Sequence, residues 1–318
     1  MRFAIIGTNF ISDNFMDAIC QVKDAEVIAV LSRTAERGKE FATRHNITRV
    51  YTDIDKMLAD RDIDAVYVAS PTVCHAEQSI KALKAGKHVL CEKMIAHDYA
   101  AFEDMMRAQA KSGRVLLEAM RPDFDPALDI IKKGLKRIGK VRRVSLEFCQ
   151  YSSRYDAFLS GTVLNAFDPD MKNSALADIG IYPLHLCIML FGDPDYFTSE
   201  SIYLHNGFEG AGVLTMHYGD MLATITYSKI TDSVNPSVIE GELGSLIIDK
   251  VSAPSKITLK LRGQEPIILP YFPVKNNMIY EIRAFMKMAE GKMSAEKYIQ
   301  ATDSSLCIAS EALYDNQD

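Results

Sequence analysis

Through Met120 the chain alternates short, wholly apolar runs with longer stretches whose apolar positions return at helical spacing. Phe3 to Gly7, Glu26 to Leu31, Arg49 to Tyr51, Ala65 to Ala69, His88 to Cys91 and Val115 to Ala119 read as strands. Several, such as Ala65-Val66-Tyr67-Val68-Ala69, are apolar at successive positions, the mark of a strand covered on both faces. Thr34 to His45, His75 to Ala85 and Asp98 to Lys111 read as helices, and the last two stop just before Gly86 and Gly113, where a left-handed cap is easy for glycine. Strand and helix alternating at this pace predict a doubly wound, parallel sheet.

After Arg121-Pro122 the texture changes. A helix predicted over Pro126 to Ile138 leads through Gly139 into a strand over Val141 to Tyr151. From Tyr196 to Tyr271 strand-like runs follow one another: Tyr196 to His205, Gly212 to Tyr218, Met221 to Ser228, Ser245 to Asp249 and Ile257 to Leu261. Turn residues at Gly219-Asp220, Gly244 and Gly263 separate them, and consecutive strands of this kind favour antiparallel pairing. Helices over Asn277 to Glu290 and Ser294 to Tyr314 close the chain, the second with Ser294 as its N-cap. The predicted fold class is α/β: a Rossmann-type parallel sheet in residues 1–121, then an α+β domain with a large, mainly antiparallel open sheet in residues 122–318.

Composition narrows the setting. The 318 residues are 48% hydrophobic and 25% charged, enough apolar material for two globular cores. With 36 basic against 42 acidic residues the net charge is −6, so no general attraction for nucleic acid is expected. The apolar stretch Leu184 to Phe191 is far shorter than the roughly 20 residues needed to span a bilayer, and no membrane association is expected. The start of the chain does not read as a signal peptide. Six cysteines without a CxxC pair point to a reducing cytoplasm, and seven dispersed histidines predict no metal site.

Candidate chemistry begins at Gly7-Thr8-Asn9-Phe10-Ile11-Ser12, between the first strand and a helix, where backbone N–H groups and a helix N-terminus can hold a pyrophosphate. Of the G-x-G-x-x-G fingerprint only the first glycine is present. Asn9, which tolerates positive φ, and the small Ser12 occupy the other two positions. About 20 residues further on, an NAD-preferring site would carry Asp or Glu for the ribose 2′-hydroxyl. Ser32-Arg33-Thr34 stands there instead, and a guanidinium fork matches a 2′-phosphate, which favours NADP over NAD. The plain alternative makes Arg33 a solvated residue at a strand end.

A resemblance then emerges from Ser70-Pro71 with His75, Ala85-Gly86-Lys87-His88-Val89, Glu92-Lys93, and Asp178-Ile179-Gly180-Ile181-Tyr182-Pro183-Leu184-His185. At these spacings the whole chain resembles the Gfo/Idh/MocA oxidoreductases, in particular the branch of dimeric dihydrodiol dehydrogenase and glucose-fructose oxidoreductase. The resemblance implies a nicotinamide-dependent hydride transfer at a carbinol carbon of a sugar, cyclitol or trans-dihydrodiol. It makes Lys93 the catalytic lysine, with Glu92 beside it in the cofactor site, and Tyr182 the general acid/base in place of the histidine that many members carry. A phenol, with its ordinary pKa near 10, needs a cation close by for that task, and Lys93 is expected to supply it. Asp178 would orient these groups or contact substrate.

Met94 stands where the family motif has proline, which predicts a looser turn, and Lys172-Asn173-Ser174 replace glycines before the Asp motif. His75 lies either at the nicotinamide side of the cofactor pocket or in helix N-terminal packing. His185 is either a substrate contact or a structural histidine, and Arg121 and Tyr151 flank the expected substrate cleft. The resemblance further implies a homodimer paired through the C-terminal sheet. Two rival readings stay open: a glycoside hydrolase that retains NAD and oxidises only transiently, and a sensor that binds NADP without turnover.

Overall fold

The computed structural model describes residues 1–314. In chain order the first part runs β1 (Arg2–Ile6), α1 (Phe10–Ile19), β2 (Glu26–Leu31), α2 (Ala35–His45), β3 (Arg49–Tyr51), α3 (Ile54–Leu58), β4 (Ala65–Val68), α4 (His75–Lys84), β5 (His88–Cys91), α5 (Tyr99–Ser112) and β6 (Leu116–Glu118). The six strands form one parallel sheet in the order β3-β2-β1-β4-β5-β6, the Rossmann order, with its crossover point between β1 and β4. Thr34 and Asp98 cap α2 and α5 by accepting from Arg37 N and Ala101 N, and Gly113 ends α5 at φ +64°.

The second part contains α6 (Pro126–Leu135), β7 (Val141–Cys149), α7 (Tyr155–Leu159), α8 (Ile181–Phe191), β8 (Tyr196–Tyr203), β9 (Glu209–Tyr218), β10 (Met221–Ser228), β11 (Ser237–Gly241), β12 (Gly244–Ile248), β13 (Ile257–Leu261) and β14 (Ile267–Ile268). They make an eight-stranded sheet ordered β14-β13-β12-β11-β7-β10-β9-β8. Its pairs are antiparallel except β7 with β10, which run parallel because β7 enters the middle of the sheet long before its neighbour is made. Strand β11 escapes sequence reading: Ser237–Gly241 is short and carries Glu240. Two helices follow, α9 (Met278–Ala289) and α10 (Glu296–Tyr314), with Ser294 Oγ accepting from Glu296 N at the start of the latter.

The chain divides into two compact units: Met1–Met120 with Lys275–Gln300, and Arg121–Val274 with the described residues from Ala301 on. The return of Lys275–Gln300 to the first unit has a visible cause. The Phe285 ring of α9 stands 5.9 Å from Phe3 of β1, and Phe3 in turn meets Phe15 of α1 at 5.8 Å. Phe15 stacks on the fully buried Tyr67 at 3.9 Å, a contact worth about 0.5–1.5 kcal/mol beyond the area it buries. An aromatic column thus runs from α9 into the sheet and ends at a phenol whose hydroxyl has work to do in the site.

Candidate active site

The first unit offers a nucleotide cradle at the carboxyl ends of β1, β2, β4 and β5. Gly7 leaves β1 at φ +110°, and a Cβ there would stand 2.6 Å from the Ala69 carbonyl, so both the backbone angle and the approach to the end of β4 require glycine. Asn9 does not use the positive φ that its residue type permits. At φ −93° it caps α1 instead, Oδ1 accepting from Ile11 N (3.1 Å) and Ser12 N (3.2 Å) while Nδ2 donates to Ala69 O (2.8 Å). Ser12, fully buried, donates to Gly7 O at 3.0 Å and so ties helix to strand, the task of the third glycine in the full fingerprint. Thr8 and Phe10 lie on the open side of this loop, Phe10 with its ring exposed. The residues fit a dinucleotide: a glycine-turned loop, a capped helix N-terminus and the sheet's crossover point coincide.

Ser32 is buried, its N–H spent on Tyr51 O, and Thr34 is spent on the α2 cap; Arg33 between them is exposed. At the end of β4, Ser70 Oγ donates to Gln78 Oε1 (2.7 Å), and Pro71 opens a 3-10 turn, Thr72–Cys74, that delivers His75. His75 is fully buried with Nε2 2.9 Å from Ser70 O and Nδ1 2.9 Å from Met94 O. Desolvation pulls its pKa down and outweighs the two carbonyls, with Lys93 and His97 adding repulsion. His75 is therefore a buried brace between two loops of the cradle, its ring nitrogens set against a carbonyl of each.

Lys93 follows β5 and is half-buried. The turn around it is held from several sides: Tyr67 donates its hydroxyl to the Glu92 carboxylate, His75 holds Met94 O, and the buried Glu118 accepts from Ile95 N at 2.9 Å. The Lys93–Met94 peptide bond is cis, and the Met94 side chain is buried. These contacts surround the turn in which Met94 stands at the family's proline position. Sequence reading missed Tyr67 and Glu118, which look like ordinary strand residues until their partners are known.

The second unit carries the other candidate residues. A π-helical turn, Leu176–Gly180, runs straight into α8 and presents Asp178 and Tyr182. Gly180 is required by proximity, since a Cβ there would lie 2.7 Å from the Tyr227 ring. Lys172 adopts the left-handed conformation at φ +55°, which ordinarily favours glycine. Glu209 meets the start of the π-helical turn, Oε2 accepting from Leu176 N at 3.0 Å; burial raises its pKa and these hydrogen bonds oppose the rise.

The Tyr182 ring packs 5.9 Å from Phe148, and Arg121 Nη2 reaches its hydroxyl at a long 3.5 Å. A cation from the same unit therefore accompanies the phenol. Tyr151 donates to Asp156 Oδ1 (2.7 Å), which raises its pKa, and its own N–H goes to Asp232. His185 is buried: Nε2 lies 2.8 Å from Asp123 Oδ2 and Nδ1 3.2 Å from Ser305 Oγ, which in turn donates to Ala301 O. Its polar atoms are engaged inside this unit. Asp178 pairs at 3.0 Å with Lys229, a buried lysine that sequence reading passed over because nothing local marks it. Among the described residues no group of three or more His, Cys, Asp or Glu is placed to hold a metal ion, and no helix is long and apolar enough to cross a membrane.

Comparison with known proteins bears directly on these two half-sites. Residues 1–120 match the model of an oxidoreductase family with a NAD-binding Rossmann fold, and residues 129–247 match the GFO/IDH/MocA C-terminal domain. The chain is 41% identical over 300 residues to scyllo-inositol 2-dehydrogenase (NADP(+)) of Bacillus subtilis (strain 168), covering 93% of this chain and 91% of that protein. It is 27% identical to trans-1,2-dihydrobenzene-1,2-diol dehydrogenase of Danio rerio, covering 96% and 93%. A 3-ketoreductase from Actinomadura kijaniata, solved with NADP and TDP-benzene, shares the fold with a TM-score of 0.86 at 23% identity, over 98% of this chain and 96% of that one. Two matched domains in the family's order and a near full-length relative at this identity leave one conclusion: the chain is an oxidoreductase of the Gfo/Idh/MocA family.

Proposed function

We propose that the protein is an NADP(H)-dependent dehydrogenase that moves a hydride between the nicotinamide ring and a carbinol carbon of a cyclitol, with sugars and trans-dihydrodiols as the neighbouring substrate classes. The observation that carries this reading is the near full-length, 41% identity to an inositol dehydrogenase that uses NADP(+). The exposed Arg33 at the carboxyl end of β2, with no acidic residue on either side, supports the phosphorylated cofactor.

Gly7, Thr8, Asn9, Phe10 and Ile11 would hold the pyrophosphate, Ser32 and Arg33 the adenosine end, and Ser70, Pro71, His75, Glu92 and Lys93 the remainder. The bound cofactor supplies the hydride acceptor, and this chain's residues manage the proton and the charge. The Lys93 ammonium donates to the carbinol oxygen and favours its alkoxide-like form. The Tyr182 phenolate oxygen takes the proton in oxidation, and the resulting phenol returns it in reduction. Arg121 steadies the phenol, and Asp178 accepts from a substrate hydroxyl.

The outer face of the eight-stranded sheet, where Tyr196, Ile202 and Leu222 are exposed, is the proposed homodimer surface; a strictly monomeric mass in dilute solution would remove it. Six free cysteines suit a reducing, cytoplasmic setting. The test of the activity is to titrate NADP and NAD separately by fluorescence and then to screen cyclitols, sugars and diols for reduced-nicotinamide absorbance. Turnover with NADP and an inositol is the expected result. Sugar release without net cofactor change would instead indicate a hydrolase, and tight NADP binding with no turnover a sensor.

A further inference from the structure

The least expected group in the second unit is the Lys229 ammonium. Its side chain is 5% exposed, just past the end of β10, and it pairs with the Asp178 carboxylate, which is 44% exposed. Nζ also donates to Ala166 O at 2.8 Å and stands 5.0 Å over the Phe167 ring and 5.2 Å over Phe208. Those rings belong to a small aromatic core with Phe158, itself packed by Tyr155, Leu204 and Ile230. The ammonium therefore has a fixed seat: two π-faces, a carbonyl and a carboxylate hold it from different directions. Placing a cation in such a seat costs desolvation that an apolar chain of the same length would not, so its presence calls for a use.

The pair is asymmetric. Its cationic end is sealed and its anionic end reaches solvent on the same short helical segment that presents Tyr182. With its side chain 44% exposed, the Asp178 carboxylate can be reached by a donor arriving from outside while Lys229 anchors it from within. We propose that Lys229 is a positioning residue that fixes the Asp178 carboxylate in the orientation in which it accepts from a substrate hydroxyl. The proposal rests on the dehydrogenase reading above. A side chain lacking the cation would leave Asp178 free to turn into water, loosening substrate binding more than it slows the chemistry.

The experiment compares wild type, K229M, D178N and the double variant as NADP holoenzymes, with scyllo-inositol as substrate. K229M is expected to raise KM about tenfold, a change the size of one charge-assisted hydrogen bond, while kcat falls by less than about threefold and the NADP Kd stays within about twofold. K229Q, which keeps an N–H for the Ala166 carbonyl, shows the same rise in KM and serves if K229M folds poorly. In the D178N background, removing the lysine adds no further loss. An unchanged KM in K229M and K229Q, or an undiminished effect of K229M in the D178N background, overturns the proposal. If the wild type oxidises no polyol, the substrate reading fails, and the positioning claim is read from melting temperatures alone. There D178N strands the buried ammonium and lowers the melting temperature by about 5 °C, and the double variant recovers part of that loss. Strictly additive losses would overturn it.

Discussion

The two units hold their candidate chemistry by different means. In the first, Gly7, Asn9, Ser70, His75 and the Lys93 turn are fixed largely by hydrogen bonds to nearby backbone, most of them among the loops that leave the parallel strands. In the second, Asp178, Tyr182 and His185 lie on one helical segment anchored by buried charged groups far away in sequence: Lys229, Glu209 and Asp123. A backbone cradle defines shape, which suits a cofactor of fixed structure. Buried polar groups from distant elements fix where the Asp178 carboxylate and the His185 ring point, which suits discrimination among hydroxyls. The contrast predicts that substitutions on the cradle change cofactor binding or stability, and that substitutions on the helical segment change turnover with the cofactor still bound. On the proposed function Lys93 is the exception, a residue of the first unit whose substitution changes turnover rather than cofactor binding.

Lys93→Met should have the largest effect. Losing a cation aimed at a developing alkoxide lowers kcat about 1,000-fold with NADP affinity within a few-fold of wild type, measured by steady-state kinetics and fluorescence titration. Equal activity in the variant would break the division of roles. Tyr182→Phe comes next, with kcat about 100-fold lower, the NADP Kd unchanged and little loss of stability, because the ring keeps its place against Phe148. Arg33→Ala should sharpen the other side of the contrast: the NADP Kd rises about 10- to 100-fold, the NAD Kd barely moves, and kcat at saturating NADP stays close to wild type.

The smallest effect is one of pH. Burial lowers the pKa of His75 in the folded state, so the unfolded chain takes up the proton first as pH falls. The stabilising contribution is complete above the ordinary histidine value of about 6.5 and is lost as pH drops through and below it. Melting curves at pH 7.5 and pH 5.5 should show a smaller acid loss for His75→Gln than for wild type. An identical loss would mean that burial does not hold the His75 pKa down in the folded protein.

The same contrast explains what could be read from the sequence. The parallel sheet announces itself because a strand buried on both faces is apolar at every position, as Ala65 to Ala69 are, and because helix and loop residues recur at fixed offsets. The first half-site sits on those loops: Gly7 stands out by its place after a strand, whereas Lys93 and His75 are marked by the family resemblance. The contacts that His75 and Glu118 make to the turn around Met94 are invisible in the sequence, because both partners lie on other elements. In the second unit Asp178 and Tyr182 are visible as a motif, but Lys229 and Glu209 are single charged residues at strand ends whose partners lie elsewhere in the chain. No periodicity reports such a pairing, and it appears only when β9 and β10 are laid beside the π-helical turn. The return of α9 to the first unit is hidden for the same reason, since its apolar face gives no hint that Phe3 is what it covers.

The central claim is that Lys93 and Tyr182 serve one carbinol carbon whose hydrogen leaves as hydride to NADP. The most direct measurement supplies scyllo-inositol deuterated at its ring carbons with NADP and follows the label by mass spectrometry of the recovered cofactor. The account predicts one deuterium on the nicotinamide ring with wild type and a rate of labelling about 1,000-fold lower with Lys93→Met. Product formed with an unlabelled cofactor, or labelling that proceeds equally in the variant, would contradict it.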